Sequence, residues 1–284
     1  MTRVAYQGAA GAYSEECATA LFPNATLVGQ RTFAAVFSDL EESRVEAAVL
    51  PVENSTVGAV VDVYDLLRQH AGLAVRAEAI LRIRHCLLGL PDARLGEVKV
   101  ARSHPQALAQ VEPFLRAHGI EPREAFDTAG AAREVKVLGD PKIAAVASRR
   151  AGEWLGLRIL AEGIEATPDN YTRFFVLSRR DDGFPAQEIP AEYLSGEPKT
   201  SLVFAVKDAP GALVRALQPF ATAGVNLAKI ESRPSRAAPW DYVFYLDLHG
   251  DPDTSPTREA MALLRLTAAW VHVLGTYPMA NGPL

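Results

Sequence analysis

Leu73-Ala74-Val75-Arg76-Ala77-Glu78-Ala79-Ile80-Leu81-Arg82-Ile83-Arg84-His85-Cys86-Leu87-Leu88-Gly89-Leu90 is the stretch on which the fold turns. Its apolar residues follow no three- or four-residue period, so it reads as strand, and it is unusually long for a single strand. A passage of that kind can carry the chain between two lobes. Upstream, short apolar runs at Val4-Ala5-Tyr6 and Ala47-Ala48-Val49-Leu50 alternate with helical patterns over Ser14 to Phe22, Phe33 to Glu42 and Val60 to His70. That alternation is the mark of β-α-β units in a mostly parallel sheet. Downstream the pattern resumes with a Val98-Lys99-Val100 strand, helices over Pro105 to Ala117 and Thr128 to Val137, an Ile143 to Val146 strand and a Tyr171 to Leu177 strand.

Periodicity stops after Arg179, and polar, Gly and Pro residues fill the stretch from about 180 to 198, where a domain boundary is expected. The remainder has its own order: strand 200–206, helix 210–223, strand 225–232, strand 241–248, helix 256–270 and strand 271–276, the βαββαβ arrangement of ferredoxin-like α+β domains. In the 241–248 strand Tyr242, Phe244, Leu246 and Leu248 alternate with Asp241, Val243, Tyr245 and Asp247, which predicts one buried face.

Composition narrows the function classes. At 284 residues, 49% apolar and 22% charged, the chain is long enough for two or three globular units. A formal net charge of −5 without any Lys/Arg run argues against nucleic-acid binding. Cys17 and Cys86 offer neither a disulfide framework nor a zinc knuckle, and the six His show no metal-ligand spacing, so no metal is expected. No apolar run is long enough for a membrane span and no secretory apolar region follows Met1, so a cytoplasmic protein is expected.

Four polar clusters stand at the ends of these elements. Gly8-Ala9-Ala10-Gly11-Ala12-Tyr13-Ser14 joins a strand to a helix, where small residues and free N–H groups favour an anion; a tight turn with Ser14 as N-cap would look the same. Pro51-Val52-Glu53-Asn54-Ser55-Thr56-Val57-Gly58 follows a strand, the usual position of ligand sites in open α/β sheets, or else Asn54 and Ser55 cap the next helix. Ser103-His104-Pro105-Gln106-Ala107-Leu108 places a hydroxyl, an imidazole and an amide at a helix entrance, as ligands or as caps. Asp169-Asn170-Tyr171-Thr172-Arg173-Phe174-Phe175 opens an apolar strand with a hydroxyl and a guanidinium, which need partners unless Arg173 reaches water from an edge strand.

Together, in order and spacing, these clusters resemble the motifs of prephenate dehydratases over residues 3–178, and residues 199–276 resemble an ACT regulatory domain. The resemblance implies a bilobal α/β catalytic domain over 1–180, similar to type II periplasmic binding proteins. One lobe would comprise about 1–75 with 170–180, the other about 76–169. A linker over 181–198 and a ferredoxin-like ACT domain over 199–284 would follow. It implies loss of carbon dioxide and water from prephenate in a cleft between lobes, with Thr172 as the catalytic hydroxyl and no cofactor. Substrate contacts are expected from Gly8, Gly11, Asn54, Ser55, Ser103, His104, Gln106, Arg173 and Phe174. L-Phenylalanine is the implied effector, held by Gly211, Ala212 and Leu213 with Glu231, Ser232, Arg233 and Pro234, in a homodimer or homotetramer. Two other readings use the same residues: an arogenate dehydratase, and a non-catalytic amino-acid or keto-acid sensor.

Overall fold

The computed structural model describes residues 1–181, 183–235 and 242–284. The first lobe is built from β1 (Arg3–Gln7), α1 (Tyr13–Leu21), β2 (Thr26–Gln30), α2 (Phe33–Glu41), β3 (Ala47–Asn54), the short β4 (Gly58–Ala59), α3 (Val61–Gln69) and β5 (Leu73–Arg82). The second lobe adds β6 (Cys86–Gly89), β7 (Val100–Ser103), α4 (Pro105–Gln110), α5 (Glu112–Ala117), β8 (Glu121–Glu124), α6 (Thr128–Leu138), β9 (Ile143–Ala147), α7 (Arg149–Leu155) and β10 (Arg158–Glu162). The chain then returns as β11 (Tyr171–Arg179), so the first sheet runs β2-β1-β3-β11-β5 with β4 on β3, and the second runs β10-β6-β9-β7-β8. This is the bilobal plan expected, with two crossovers between the sheets.

In these two lobes three expectations need correction. β5 does not leave the first lobe near residue 75, because it pairs with β11 along its whole length from Leu73 to Arg82; the crossover is Ile83-Arg84-His85. The helix expected over Pro105 to Ala117 is two, broken at Val111, since Pro113 lacks an N–H and its ring crowds the preceding turn. Ser14 caps nothing, for the N-cap of α1 is Ala12; the Glu15 carboxylate instead reaches back to the Gly11 N–H at 2.6 Å. Elsewhere capping follows the side chains: Thr32, Asp127 and Ser148 accept from the first turns of α2, α6 and α7, and Gly139 and Gly156 end α6 and α7 in the left-handed conformation.

The C-terminal domain comprises β12 (Pro198–Ala205), α8 (Ala212–Thr222), β13 (Leu227–Pro234), β14 (Tyr242–His249), α9 (Thr257–Thr267) and β15 (Trp270–Pro278), in the antiparallel order β13-β14-β12-β15. Asp241, expected to begin β14, lies outside the described residues. The single buried face expected there is two. Leu246 and Leu248 pack with Leu202, Phe204, Phe220 and Leu264 under the helices. Val243 and Tyr245, on the other side, share a core with Leu50, Val63, Tyr64 and Phe175 of the first lobe. The Tyr245 hydroxyl donates to the Tyr64 carbonyl at 2.8 Å. This sheet is therefore docked on the first lobe, and each large apolar side chain so covered contributes about 1.5–3 kcal/mol. The connecting stretch is strapped down as well: Ile189 is buried, with Phe184, Tyr193 and Leu194 packed against the same cluster. Among the described residues no helix is long and apolar enough to cross a membrane.

Candidate active site

A cavity of about 830 Å³ opens between the lobes, beyond the carboxyl ends of β1 and β3. Gly8, Asn54, His104, Gln106, Thr172 and Phe174 all line it. Thr172 and Phe174 reach it together because alternate residues of a strand share a face. Thr172 is nearly buried at 8% exposure, and its Oγ1 accepts from Asn54 Nδ2 at 3.0 Å. With its acceptor side filled by an amide, the hydroxyl keeps its own proton available to the cleft. Asn54 is held in turn: its Oδ1 accepts from the backbone N–H groups of Thr56 at 3.0 Å and Val57 at 3.1 Å. His104 is the N-cap of α4, its Nδ1 accepting from the Gln106 N–H at 3.3 Å, so cap and wall are the same residue.

The other sequence-predicted residues are placed elsewhere. Arg173 points away from the cleft, as its parity with Thr172 requires; its guanidinium meets Glu53 at 2.9 Å, Glu78 at 3.3 Å and, on β14, Asp247 at 2.6 Å. The expected carboxylate ligand is thus consumed at the domain interface. Among the described lining residues the permanent cation is Arg31, at the rim. Ser103 is fully buried and donates to the Val146 carbonyl at 2.6 Å, tying β7 to β9. Ser55 clamps the second crossover, donating to Asp169 O and accepting from Tyr171 N, both at 2.9 Å. Gly11 is a close contact between lobes: its carbonyl accepts from Ser148 Oγ at 2.6 Å, its φ is +90°, and a Cβ there would lie 2.6 Å from the Ala151 Cα. Gly11→Ala is expected to force α7 away and to lower stability by roughly 1–3 kcal/mol. A lower thermal midpoint with a larger radius of gyration would register it, and an unchanged midpoint would remove the contact from the account.

Residues not expected as ligands complete the cleft. Tyr13, Ser14, His85 and Gln110 line it, and Asn170 lies just behind. Gln110 follows Gln106 by four residues on one helix face, a spacing that could have marked it. His85 is 2% exposed, and burial pushes its pKa below the ordinary imidazole value. Burial likewise raises the Tyr13 hydroxyl well above the usual phenol value, keeping it protonated. A second cavity of about 700 Å³ is edged by Arg149 and Glu162, which pair with each other, and by Arg150, which pairs with Glu15.

In the C-terminal domain Gly211 is the left-handed N-cap of α8 at φ +74°, with Ala212 and Leu213 in the first turn. Glu231 to Pro234 form the end of the edge strand β13, where strand alternation divides them. Glu231 pairs with Tyr245 and Arg233 with Val243 on the side docked against the lobe, while Ser232 pairs with Phe244 on the helix side. The four side chains therefore do not line one surface.

A family model described as prephenate dehydratase matches residues 4–182, and one described as ACT domain matches residues 200–262. An arogenate dehydratase/prephenate dehydratase 1 of Arabidopsis thaliana, described as chloroplastic, is 39% identical over 98% of this chain and 72% of its own. A bifunctional N-acyl-homoserine lactone acylase/prephenate dehydratase of Komagataeibacter europaeus is 37% identical over 97% of this chain and 95% of its own. A crystal structure of prephenate dehydratase from Arthrobacter aurescens in complex with L-Phe aligns at TM-score 0.87 and 28% identity, covering 99% of this chain and 92% of that one. With the cleft domain and the docked sheet each matched in turn, the chain belongs to the prephenate dehydratase/arogenate dehydratase family and carries a C-terminal ACT domain.

Proposed function

We propose that this chain converts prephenate to phenylpyruvate, carbon dioxide and water in the cleft beside Thr172. The ring carboxylate leaves as carbon dioxide, its electron pair enters the ring, and the aromatising ring expels the hydroxyl across from it. One proton is taken up to make water. The observation that carries the reading is the Thr172 hydroxyl, backed by Asn54 and presented beside buried Phe174. A neutral hydroxyl is a weak acid, so its role is to donate a hydrogen bond where negative charge develops on the departing oxygen. An aromatic wall beside it suits the aromatic product. A sensor would need shape and charge from such a cleft but no donor aimed at a leaving group.

A second reading, arogenate dehydratase, is supported by Asp62 on the cleft lining, an acidic partner for the ammonium that arogenate carries in place of the keto group. Incubating the purified protein with each substrate decides between them: phenylpyruvate from prephenate supports the first reading, phenylalanine from arogenate the second. Release of neither product overturns both.

Regulation by L-phenylalanine through the ACT domain belongs to the same proposal, supported by the L-Phe complex of the Arthrobacter aurescens relative. Self-assembly through β13 is supported by its place at the sheet edge and by Ile230, which is 48% exposed there. The effector is expected to bind at Gly211, and Gly211→Val to weaken inhibition while leaving effector-free turnover in place. A Cβ there meets the flexible end of Arg215 at 2.9 Å, and the new residue must adopt φ +74° at a cost of roughly 1–2 kcal/mol. Calorimetric titration with phenylalanine checks this, and no heat at millimolar ligand in the parent protein would sink the regulatory part alone.

A further inference from the structure

The orientation of every side-chain amide behind Thr172 can be deduced from the backbone outward. Asn54 Oδ1 is fixed by two main-chain N–H groups, which can only donate, so Asn54 Nδ2 must face Thr172 Oγ1, the Tyr171 carbonyl at 3.1 Å and Asn170 at 2.8 Å. Asn170 therefore turns its Oδ1 to Asn54 and its Nδ2 to Gln110, at 3.1 Å. Gln110 in consequence presents Oε1 to Asn170 and to His85 Nε2, 2.8 Å away, and gives its Nε2 to Thr56 Oγ1, also at 2.8 Å. An amide oxygen cannot donate, so His85 must carry its proton on Nε2.

The same donors and acceptors set the direction of the whole hydrogen-bond chain. His85 Nε2 donates to Gln110, Gln110 donates to Thr56, Thr56 Oγ1 donates to Asn54 Oδ1 at 2.7 Å, and Asn54 donates to Thr172. Every bond points the same way, and the last hydroxyl proton is left for the cleft. Hydrogen bonds aligned in one sense polarise each other, by perhaps 10–30% per bond. At its far end His85 Nδ1 lies 2.9 Å from the Tyr13 hydroxyl, which also reaches the Arg84 carbonyl at 2.8 Å. A neutral imidazole accepts there, and Tyr13 has an alternative acceptor should the ring ever gain a proton, so the Nε2 donor persists in both states.

We propose that His85 is a positioning residue for the dehydration, which holds Gln110 by its Nε2–H and thereby orients and polarises the Thr172 hydroxyl. The proposal rests on the dehydratase reading above. Its geometry also ties the donor to the state of the cleft, for the chain crosses it. Asn54, Thr56 and Thr172 belong to the first lobe, Gln110 sits on α4 of the second, and His85 and Asn170 lie on the two crossovers. The chain is complete only with the lobes in this relation. Amides do not pass a proton along, so the device supplies orientation and polarity, and the proton taken up by the leaving hydroxyl comes from elsewhere.

The test uses the full chain and begins with parent turnover of prephenate and arogenate. An inactive parent overturns the dehydratase reading and this proposal with it; with an active parent the variants judge His85 alone. His85→Phe, of similar size, is expected to lower kcat by roughly 10- to 100-fold with KM within about two-fold. His85→Gln, whose amide nitrogen reaches the position of Nε2, should recover most of the rate, while His85→Asn, which reaches only the Nδ1 side, should not. In a Thr172→Ala background His85→Phe should change the rate by less than about two-fold, since the residue acts through Thr172. Equal rates for the Gln and Asn variants, parental kcat in a folded Phe variant, or full additivity with Thr172→Ala would each overturn the assignment. If the Phe variant does not fold, the Gln and Asn pair decides it.

Discussion

Thr172→Ala is expected to lower kcat by roughly 10²–10³, the usual loss when one preorganised donor is removed from a site of developing negative charge. The substitution is gentle on the fold. Asn54 Nδ2 keeps Asn170 Oδ1 and the Tyr171 carbonyl as acceptors, so no buried donor is orphaned. A stability loss of about 1 kcal/mol is all that one neutral hydrogen bond and a methyl call for. Thr172→Val separates shape from chemistry, because it keeps the branched outline and deletes only the hydroxyl; it should match the Ala variant. Thr172→Ser keeps the donor and should lie within about ten-fold of the parent. Circular dichroism with steady-state rates decides the matter, and a folded Thr172→Val enzyme with near-parental turnover would remove this hydroxyl from the mechanism.

The elements that were legible in the sequence are those with a strong period or a long apolar run. The Leu73 to Leu90 passage showed its strand character, and α2, α3, α6 and the C-terminal βαββαβ order showed theirs. The elements that escaped have neither. β8 is Glu121-Pro122-Arg123-Glu124, wholly exposed at a sheet edge, and nothing in it alternates. β10 and β2 are also edge strands, only partly covered. An edge strand is held by backbone pairing with its neighbour, which leaves little trace in side-chain pattern.

In the site, residue types were legible while their directions were not. Thr172-Arg173-Phe174 read as one block sends all three into the cleft, yet a strand must turn the middle one away. That parity was available from the sequence; what Arg173 would meet was not, because Glu53, Glu78 and Asp247 come from three distant strands. Ser103 and Ser55 looked like ligands for the same reason. A hydroxyl at a strand end serves a carbonyl or a substrate equally well until its partner is seen. His85 was silent, and Gln110 showed no more than its four-residue spacing from Gln106, because their roles lie in hydrogen bonds across the cleft.

Removing Arg173 is expected to have the largest effect on stability, and one distinct from the loss of a substrate ligand. The guanidinium lies in a cluster of three cations, Arg173, Lys199 and Lys229, and three carboxylates, Glu53, Glu78 and Asp247, buried except at Glu53, whose side chain is 34% exposed. Burial alone would lower the Arg173 pKa, but the nearby charges, Asp247 foremost, raise it above its ordinary value, so the group is permanently charged. Its side chain is 11% exposed, against 2% for Glu78 and 3% for Asp247. Arg173→Met leaves three carboxylates facing two ammonium groups in a nearly dry interface, and breaking such a cluster on one side costs about 3–5 kcal/mol. Arg173→Lys keeps the charge, but one ammonium cannot reach Asp247, Glu53 and the Tyr64 hydroxyl together, so it should fall between parent and Met. In the Lys variant KM for the substrate should stay near the parent value, because no bond from Arg173 enters the cleft. The decisive comparison is Asp247→Leu combined with Arg173→Met: the double variant restores charge balance, with Lys199 still on Glu78 and Lys229 still on Glu53. Urea unfolding should show the double variant more stable than the Arg173→Met single, the signature of a direct pair between the strand that carries Thr172 and the ACT sheet. Additive losses would show that Arg173 and Asp247 contribute separately, and a KM rise confined to Arg173→Lys would return the guanidinium to the substrate.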